Sequence, residues 1–271
     1  MSTCAQTSMP SRADPASPTR NVVTIMFSAG PLWVPTGEIP TLSEGQVHVW
    51  RASLDEGCTH VRQLAQVLCD GERARAERFF FARDRHRFIV RRSILRVILG
   101  GYLHIAPDQV RLRYGRRGKP CLAEGTLRFN LSHSGDTALF AFARGREVGV
   151  DVERIQAGFP WDEITEHIFS PQESGLLQRL QGADRRRTLF VAWTCKEAYV
   201  KARGHGLSFP LDRVDMALSP PTLRRVGEDK REASRWSLQE LGVGEDYAAA
   251  LAVEGHDWRL VCRQWRWIEA E

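Results

Sequence analysis

Along residues 46–51, QVHVWR, polar and apolar side chains alternate, which predicts a strand with one face turned inward. Across residues 71–103 the period lengthens to that of a helix. There Ile89, Ile94, Leu95, Ile98 and Leu99 form one apolar stripe, arginines take the opposite faces, and Gly100-Gly101 closes the run. A period of two returns in QVRLRY (109–114) and LRFNLSHS (127–134), joined by the turn-rich GRRGKPCLAEG. It continues in TALFAFAR (137–144) and EVGVDVERI (147–155). The second half repeats the order, with helical patterns over about 161–181 and 184–203 and strands at VDMALS, RWSLQEL, YAAALAVE and WRLVCRQW. Helix plus antiparallel strands, met twice, predicts an α+β fold of two similar lobes, each an antiparallel sheet packed on helices. The expected organisation is a disordered leader and N-terminal extension over 1–45, an N-terminal lobe over 46–148 and a C-terminal lobe over 149–271.

Composition narrows the class. No apolar run approaches the ~18–20 residues that cross a bilayer, which argues against an integral membrane protein. The first twenty residues are rich in Ser, Thr and Pro and lack the apolar centre of a signal peptide. Six cysteines are scattered without a C-x-x-C pair or zinc-ligand spacing, so reduced thiols and a cytoplasmic location are expected. Charge is uneven. Residues 71–118 hold thirteen arginines against four acidic residues, a local excess of +9, while the whole chain carries only +5. A basic band on an otherwise acidic chain suits a polyanionic partner, either nucleic acid or a phosphorylated small molecule, although solvated helix surface would also use such arginines.

Four stretches hold candidate chemistry. In GVDVERI, spacing of two puts Asp151 and Glu153 on one strand face and Val150 and Val152 on the other. Two carboxylates so placed repel unless a cation or bases sit between them, and Mg²⁺ favours one or two carboxylates plus phosphate oxygens. In FNLSHSGD, alternation points Ser132 away from His133 and G-x-S-x-G is absent, which disfavours a hydrolase triad. Small residues, a hydroxyl and an imidazole at a strand end suit a phosphate instead. GRRGKP lacks the spacing of a phosphate-binding P-loop but is a cationic turn that can hold Arg117 and Lys119 toward an anion. In WTCKEAYVKARGHGL, Trp193, Glu197 and Lys201 recur every four residues along one helix face, beside Lys196. On these residues alone, a solvated Glu–Lys pair worth ~0.2–0.5 kcal/mol explains the pattern as well.

Taken in order, GKP, FNLSHSGD, GVDVERI and WTCKEAYVKARGHGL resemble the successive motifs of the Sfp-type 4′-phosphopantetheinyl transferases, and RFFFARDRHRF resembles an upstream segment of that family. The resemblance spans roughly residues 46–255. It implies transfer of phosphopantetheine from coenzyme A to a serine of an apo acyl or peptidyl carrier protein, with Mg²⁺ and release of 3′,5′-ADP. It implies Asp151, Glu153 and Glu197 as metal ligands, Glu153 being less uniform across the family, and Glu197 as the base for the serine hydroxyl. Lys201 and His133 would meet phosphate oxygens. Arg75, Arg117, Gly118, Lys119, Asn130, Ser132 and Lys196 would complete the coenzyme site, Arg75 at the 3′-phosphate. The implied partners are carrier proteins, with no nucleic acid and no membrane, for a monomeric cytoplasmic enzyme. A rival reading from the residues is a Mg²⁺-dependent nucleic-acid-binding protein or nuclease on the arginine-rich band. Its mark would be aromatic residues interleaved with basic ones. The consecutive Phe79–Phe81 suit a buried helix end better.

Overall fold

The computed structural model describes residues 31–55, 61–204, 206 and 209–267. The expectation of a disordered leader over residues 1–30 lies outside this range. Within the expected extension, strand β1 (Val34–Thr36) is already part of the fold. The remaining strands are β2 (Gln46–Ser53), β3 (Leu112–Tyr114), β4 (Pro120–Leu122), β5 (Leu127–Ser134), β6 (Thr137–Arg144) and β7 (Val148–Arg154), then β8 (Val214–Leu218), β9 (Pro221–Val226), β10 (Trp236–Glu240), β11 (Tyr247–Glu254) and β12 (Arg259–Trp265). The helices are α1 (Val61–Leu64), α2 (Asp70–Glu77), α3 (Ala82–Leu103), α4 (Trp161–Ile168), α5 (Pro171–Leu177), α6 (Gly182–Arg203) and α7 (Lys230–Ala233).

Alternation along the strands builds four layers. In β6, Ala138, Phe140 and Phe142 face α3 and join Trp50, Ile94, Leu95, Ile98 and Leu99 in one core. The intervening Leu139, Ala141 and Ala143 face the second sheet, where they meet Val150, Val152, Ala249, Leu251 and Val253. The other face of β11 presents only Ala248, Ala250 and Ala252, small side chains on which α6 packs with Leu189, Phe190 and Tyr199. The stack therefore runs α3, first sheet, second sheet, α6. This is the expected α+β arrangement, a helix on each of two sheets.

Strand order is β1-β12-β2-β6-β5 in the first sheet and β10-β11-β7 in the second. One placement departs from the expected lobes. β12 was expected in the C-terminal lobe, yet it pairs in parallel with β2 and with β1, inside the N-terminal sheet. It thereby supplies hydrogen bonds to the edge of β2 that would otherwise stay open. Among the described residues only the pairs made by β12 are parallel, whereas β2–β6, β5–β6, β7–β11 and β10–β11 are antiparallel as expected.

Two predicted long helices are each broken. The first stops at Glu77 and restarts at Ala82 because Phe81 adopts an extended conformation at the N-cap. The second divides at Ser170, whose hydroxyl accepts from the Glu173 amide while the Glu173 carboxylate accepts from the Ser170 amide. Ser170-Pro171-Gln172-Glu173 is a capping box with proline at the first helical position, a signal present in the sequence. The arginines of α3 are also not all on solvated faces. Arg96 and Arg92 are buried and pair with Glu72, at 2.6 and 3.3 Å, and Arg96 donates further to the carbonyls of Pro107 and Val110.

Candidate active site

β7 places its odd-numbered residues toward α6. At the first of these, Gly149, an added Cβ would stand 2.0 Å from the Ala198 carbonyl oxygen and 2.4 Å from the Ala202 amide. Only a residue without a side chain lets the helix lie so close, and that approach brings the last turns of α6 onto the next two positions, Asp151 and Glu153. Lys201 Nζ donates to Asp151 Oδ1 and, at 2.8 Å, to Ser132 Oγ. Ser132 in turn donates to the same Asp151 oxygen at 2.7 Å. Asp151 is buried, and its second oxygen, Oδ2, has no hydrogen-bond partner.

The two sheets meet at this point through side chains rather than a backbone ladder. The amide of Val150 donates to Asn130 Oδ1 at 3.0 Å, Ser134 Oγ donates to Glu153 Oε2 at 2.8 Å, and the amide of Arg154 donates to Ser134 Oγ. Asn130, Ser132 and Ser134 thus stitch β5 to β7, and their shared face opens on a cavity of about 680 Å³ between the lobes. His133, Asp151, Glu153, Glu197 and Lys201 line it, together with Asn130 and Ser132. Arg75, Arg117, Gly118 and Lys119 line it as well. The residues from 205 to 208 are described only at Gly206, where an added Cβ would come within 3.0 Å of the Arg117 side chain, so Gly206 lies against the GRRGKP turn. Lys119 fastens that turn to α6 by donating to the Ala202 carbonyl at 2.9 Å, and burial lowers its pKa against the pull of Glu147.

Burial and mutual charge set the electrostatics. The Glu153 carboxyl is pushed up to about 7, first by burial and then by the charge of Asp151, with Ser134 and Lys201 opposing. Glu197 is raised by the same two causes, burial first, and Lys201 opposes. Carboxyls that hold each other's protons in this way favour a cation between them. Among the described residues no three Asp, Glu, His or Cys side chains form a ready-made metal cage. The unpartnered Asp151 oxygen and the two raised carboxyls nonetheless fit a hard divalent ion that takes one or two carboxylates and fills its remaining positions with phosphate and water.

The sign of the Glu153 shift gives a stability prediction. A carboxyl whose folded value lies above its ordinary 4.5 stabilises the fold below that value, and the contribution is lost as pH rises through about 7. The melting temperature of the metal-free protein should fall across this window, and Glu153→Gln should flatten the fall. Melts from pH 5 to 8 in chelator check this, and parallel curves for the two proteins would contradict it.

Lys196 does not join the site. Its ammonium is fully buried and donates to Glu173 Oε2 at 2.6 Å, the Ile168 carbonyl at 2.7 Å and the Leu211 carbonyl at 3.1 Å. One residue along a helix turns a side chain by about 100°, which sends Lys196 into the lobe while Glu197 faces the cavity. The expectation of coenzyme contact is corrected to a structural ion pair. Removing one member of such a pair costs ~3–5 kcal/mol because the other charge stays buried. Lys196→Met should therefore lower the unfolding free energy read from urea denaturation by that amount, and an unchanged midpoint would contradict the assignment.

Arg91, Arg92 and Tyr114 also line the cavity, beside Arg75. Burial and the nearby Arg92 and Arg75 push Arg91 down to about 10, and Arg92 Nη1 is buried without a partner. Three guanidinium groups thus line one part of the cavity, and Arg92 is also paired with Glu72. The signal was the Arg91-Arg92-Ser93 break between the apolar runs Phe88–Val90 and Ile94–Leu95. Trp193 lines the same cavity, stacks on Phe190, and meets Trp161 edge to face and Phe159 at a tilt.

Comparison with known proteins adds the following. Residues 147–252 match the family described as the 4′-phosphopantetheinyl transferase superfamily, and residues 49–144 match the N-terminal region of 4′-phosphopantetheinyl transferases. The chain is 40% identical over 231 residues to the 4′-phosphopantetheinyl transferase HetI of Nostoc sp., covering 84% of this chain and 95% of that protein. It is 28% identical over 230 residues to the human L-aminoadipate-semialdehyde dehydrogenase-phosphopantetheinyl transferase, covering 77% and 72%. Among solved structures, a holo-(acyl-carrier-protein) synthase from Bacillus anthracis in complex with CoA (3′,5′-ADP) aligns with a TM-score of 0.35 and 19% identity, over 41% of this chain and 96% of that one.

Proposed function

This chain belongs to the 4′-phosphopantetheinyl transferases, and on that premise we propose how its residues carry out the transfer. The enzyme moves 4′-phosphopantetheine from coenzyme A to a serine of an apo carrier protein. The serine oxygen attacks the phosphorus that bears the pantetheine arm, the bond to the bridging pyrophosphate oxygen breaks, and 3′,5′-ADP leaves. The observation that carries the reading is convergence: Lys119, the FNLSHSG strand, the GVDVER strand and α6 all open on one cavity lined by both cations and carboxylates.

Glu197 takes the serine proton. Its raised pKa brings the carboxylate closer to a proton acceptor suited to neutral pH. Lys201, held on Asp151 and Ser132, donates to phosphate oxygens as charge moves onto the leaving group, and His133 donates from the exposed end of β5. Asp151, with Glu153 and Glu197, would hold a Mg²⁺ ion, which supplies charge neutralisation at the pyrophosphate when bound. Arg75, with Arg91 and Arg92, takes the nucleotide's 3′-phosphate. Arg117, Gly118 and Lys119 close the loop over the coenzyme, and Asn130 and Ser132 contribute mainly by fixing β5 to β7. No helix among the described residues is long and apolar enough to cross a membrane. The reading goes with a cytoplasmic monomer whose macromolecular partner is a carrier protein and not a nucleic acid.

Arg75→Ala and Lys119→Ala should raise KM for coenzyme A by about tenfold or more and leave KM for the carrier within about twofold. They supply binding shared by ground and transition states, so kcat changes little. Separate KM determinations decide it, and an effect confined to the carrier KM would move both residues out of the coenzyme site.

A further inference from the structure

Phe79, Phe80 and Phe81 do not share one buried helix end. Phe79 turns inward, its ring 5.3 Å from that of Phe88. Phe80 is 92% exposed and Phe81 64%, and their rings meet edge to face at 5.0 Å in the break between α2 and α3. Adjoining exposed aromatic rings on a folded surface mark a place where another molecule binds. Around the pair stand the exposed Arg75, Arg78, Arg83 and Arg85, against the exposed Glu77 and Asp84, so the rim is net basic. Gly71, Arg75, Arg78 and Phe79 line a groove of about 500 Å³ at its foot. Arg75 lines both that groove and the active cavity. Arg75 thus makes the groove beside the knob continuous with the active cavity.

We propose that the Phe80–Phe81 knob and its arginine rim form a docking surface for the carrier protein, seating an apolar seam on the carrier between acidic side chains. This inference depends on the transferase reading. The partner that must cover surface continuous with the cavity is the one that brings a serine into it. The rim charge selects an acidic protein and speeds its encounter. The two rings pack against each other rather than standing apart to receive bases, which separates this surface from an aromatic platform for single strands.

The test uses the full chain with coenzyme A and a recombinant apo acyl carrier protein. The double variant Phe80→Ser, Phe81→Ser should melt like wild type, keep KM for coenzyme A within about twofold, and raise KM for the carrier by about tenfold or more, as loss of an aromatic anchor does. The Phe80→Leu, Phe81→Leu pair should recover most of that loss. Arg78→Glu with Arg83→Glu should raise the carrier KM and weaken its dependence on salt. An unchanged carrier KM in the serine pair, with wild type still modifying the carrier, overturns the docking surface and leaves the transferase reading standing. Wild type that modifies no carrier overturns both. If the serine pair instead loses self-association in sedimentation, or affinity for a single-stranded oligonucleotide, at an unchanged carrier KM, the knob belongs to that other partner and the proposal fails.

Discussion

Glu197→Gln should leave the fold intact and lose nearly all transfer. The substitution keeps the shape of a side chain that is only 7% exposed, so the melting temperature should stay close to wild type. It removes a proton acceptor and one negative charge from the cavity. Loss of general-base action alone costs ~10²–10⁴ in rate, and weakened cation binding adds to that. A Glu197 that merely paired with Lys201 on a solvated helix face would contribute only ~0.2–0.5 kcal/mol of stability and nothing to turnover. Burial and the raised pKa already place it elsewhere than such a surface. Single-turnover rates on one apo carrier, measured beside thermal melts, separate the two accounts. A Gln variant that modifies the carrier at the wild-type rate would return Glu197 to a structural role.

Asp151→Asn should have a comparable effect for a different reason. Asp151 is the anion on which Ser132 and Lys201 converge, and its charge raises the carboxyls of Glu153 and Glu197. The amide leaves Lys201 without its counter-charge and removes the unpartnered oxygen suited to a hard cation. Metal-assisted charge stabilisation amounts to several kcal/mol. At about 1.4 kcal/mol per tenfold, turnover should fall roughly 10³-fold or more. Without the Asp151 charge, Glu153 should also titrate lower. The stabilisation of the protein by Mg²⁺, read as a shift in melting temperature, should disappear. A variant that keeps both the Mg²⁺ shift and turnover would remove Asp151 from the metal site.

Much of this arrangement was legible in the chain because it depends on local spacing. Period two in GVDVER put Asp151 and Glu153 on one face, and the structure keeps Val150 and Val152 in the core behind them. The four-residue recurrence of Trp193, Glu197 and Lys201 held because α6 runs unbroken past all three. What escaped depends on contacts distant in sequence. Lys196 is adjacent to Glu197, yet its partner Glu173 lies on another helix, and nothing in the motif announces that pairing. β12 carries an ordinary strand pattern, and its place beside β2 follows from an open edge more than two hundred residues away. The arginines of α3 look alike in sequence. Only the packing separates Arg96, buried on Glu72 of α2, from Arg91 at the cavity, and Arg92 reaches both. Phe80 and Phe81 misled for the opposite reason, since hydrophobic character alone predicted burial.

Transfer of phosphopantetheine in this cavity can be read on the carrier itself. Incubating the purified protein with coenzyme A, Mg²⁺ and apo acyl or peptidyl carrier proteins, then weighing the carrier by intact-protein mass spectrometry, tests it most directly. The expected result is a single mass gain equal to one phosphopantetheine on the carrier's serine, stoichiometric 3′,5′-ADP in solution, and neither product with Glu197→Gln. A set of apo carriers that stays unmodified with the wild-type protein, or is modified equally by the Gln variant, would contradict it.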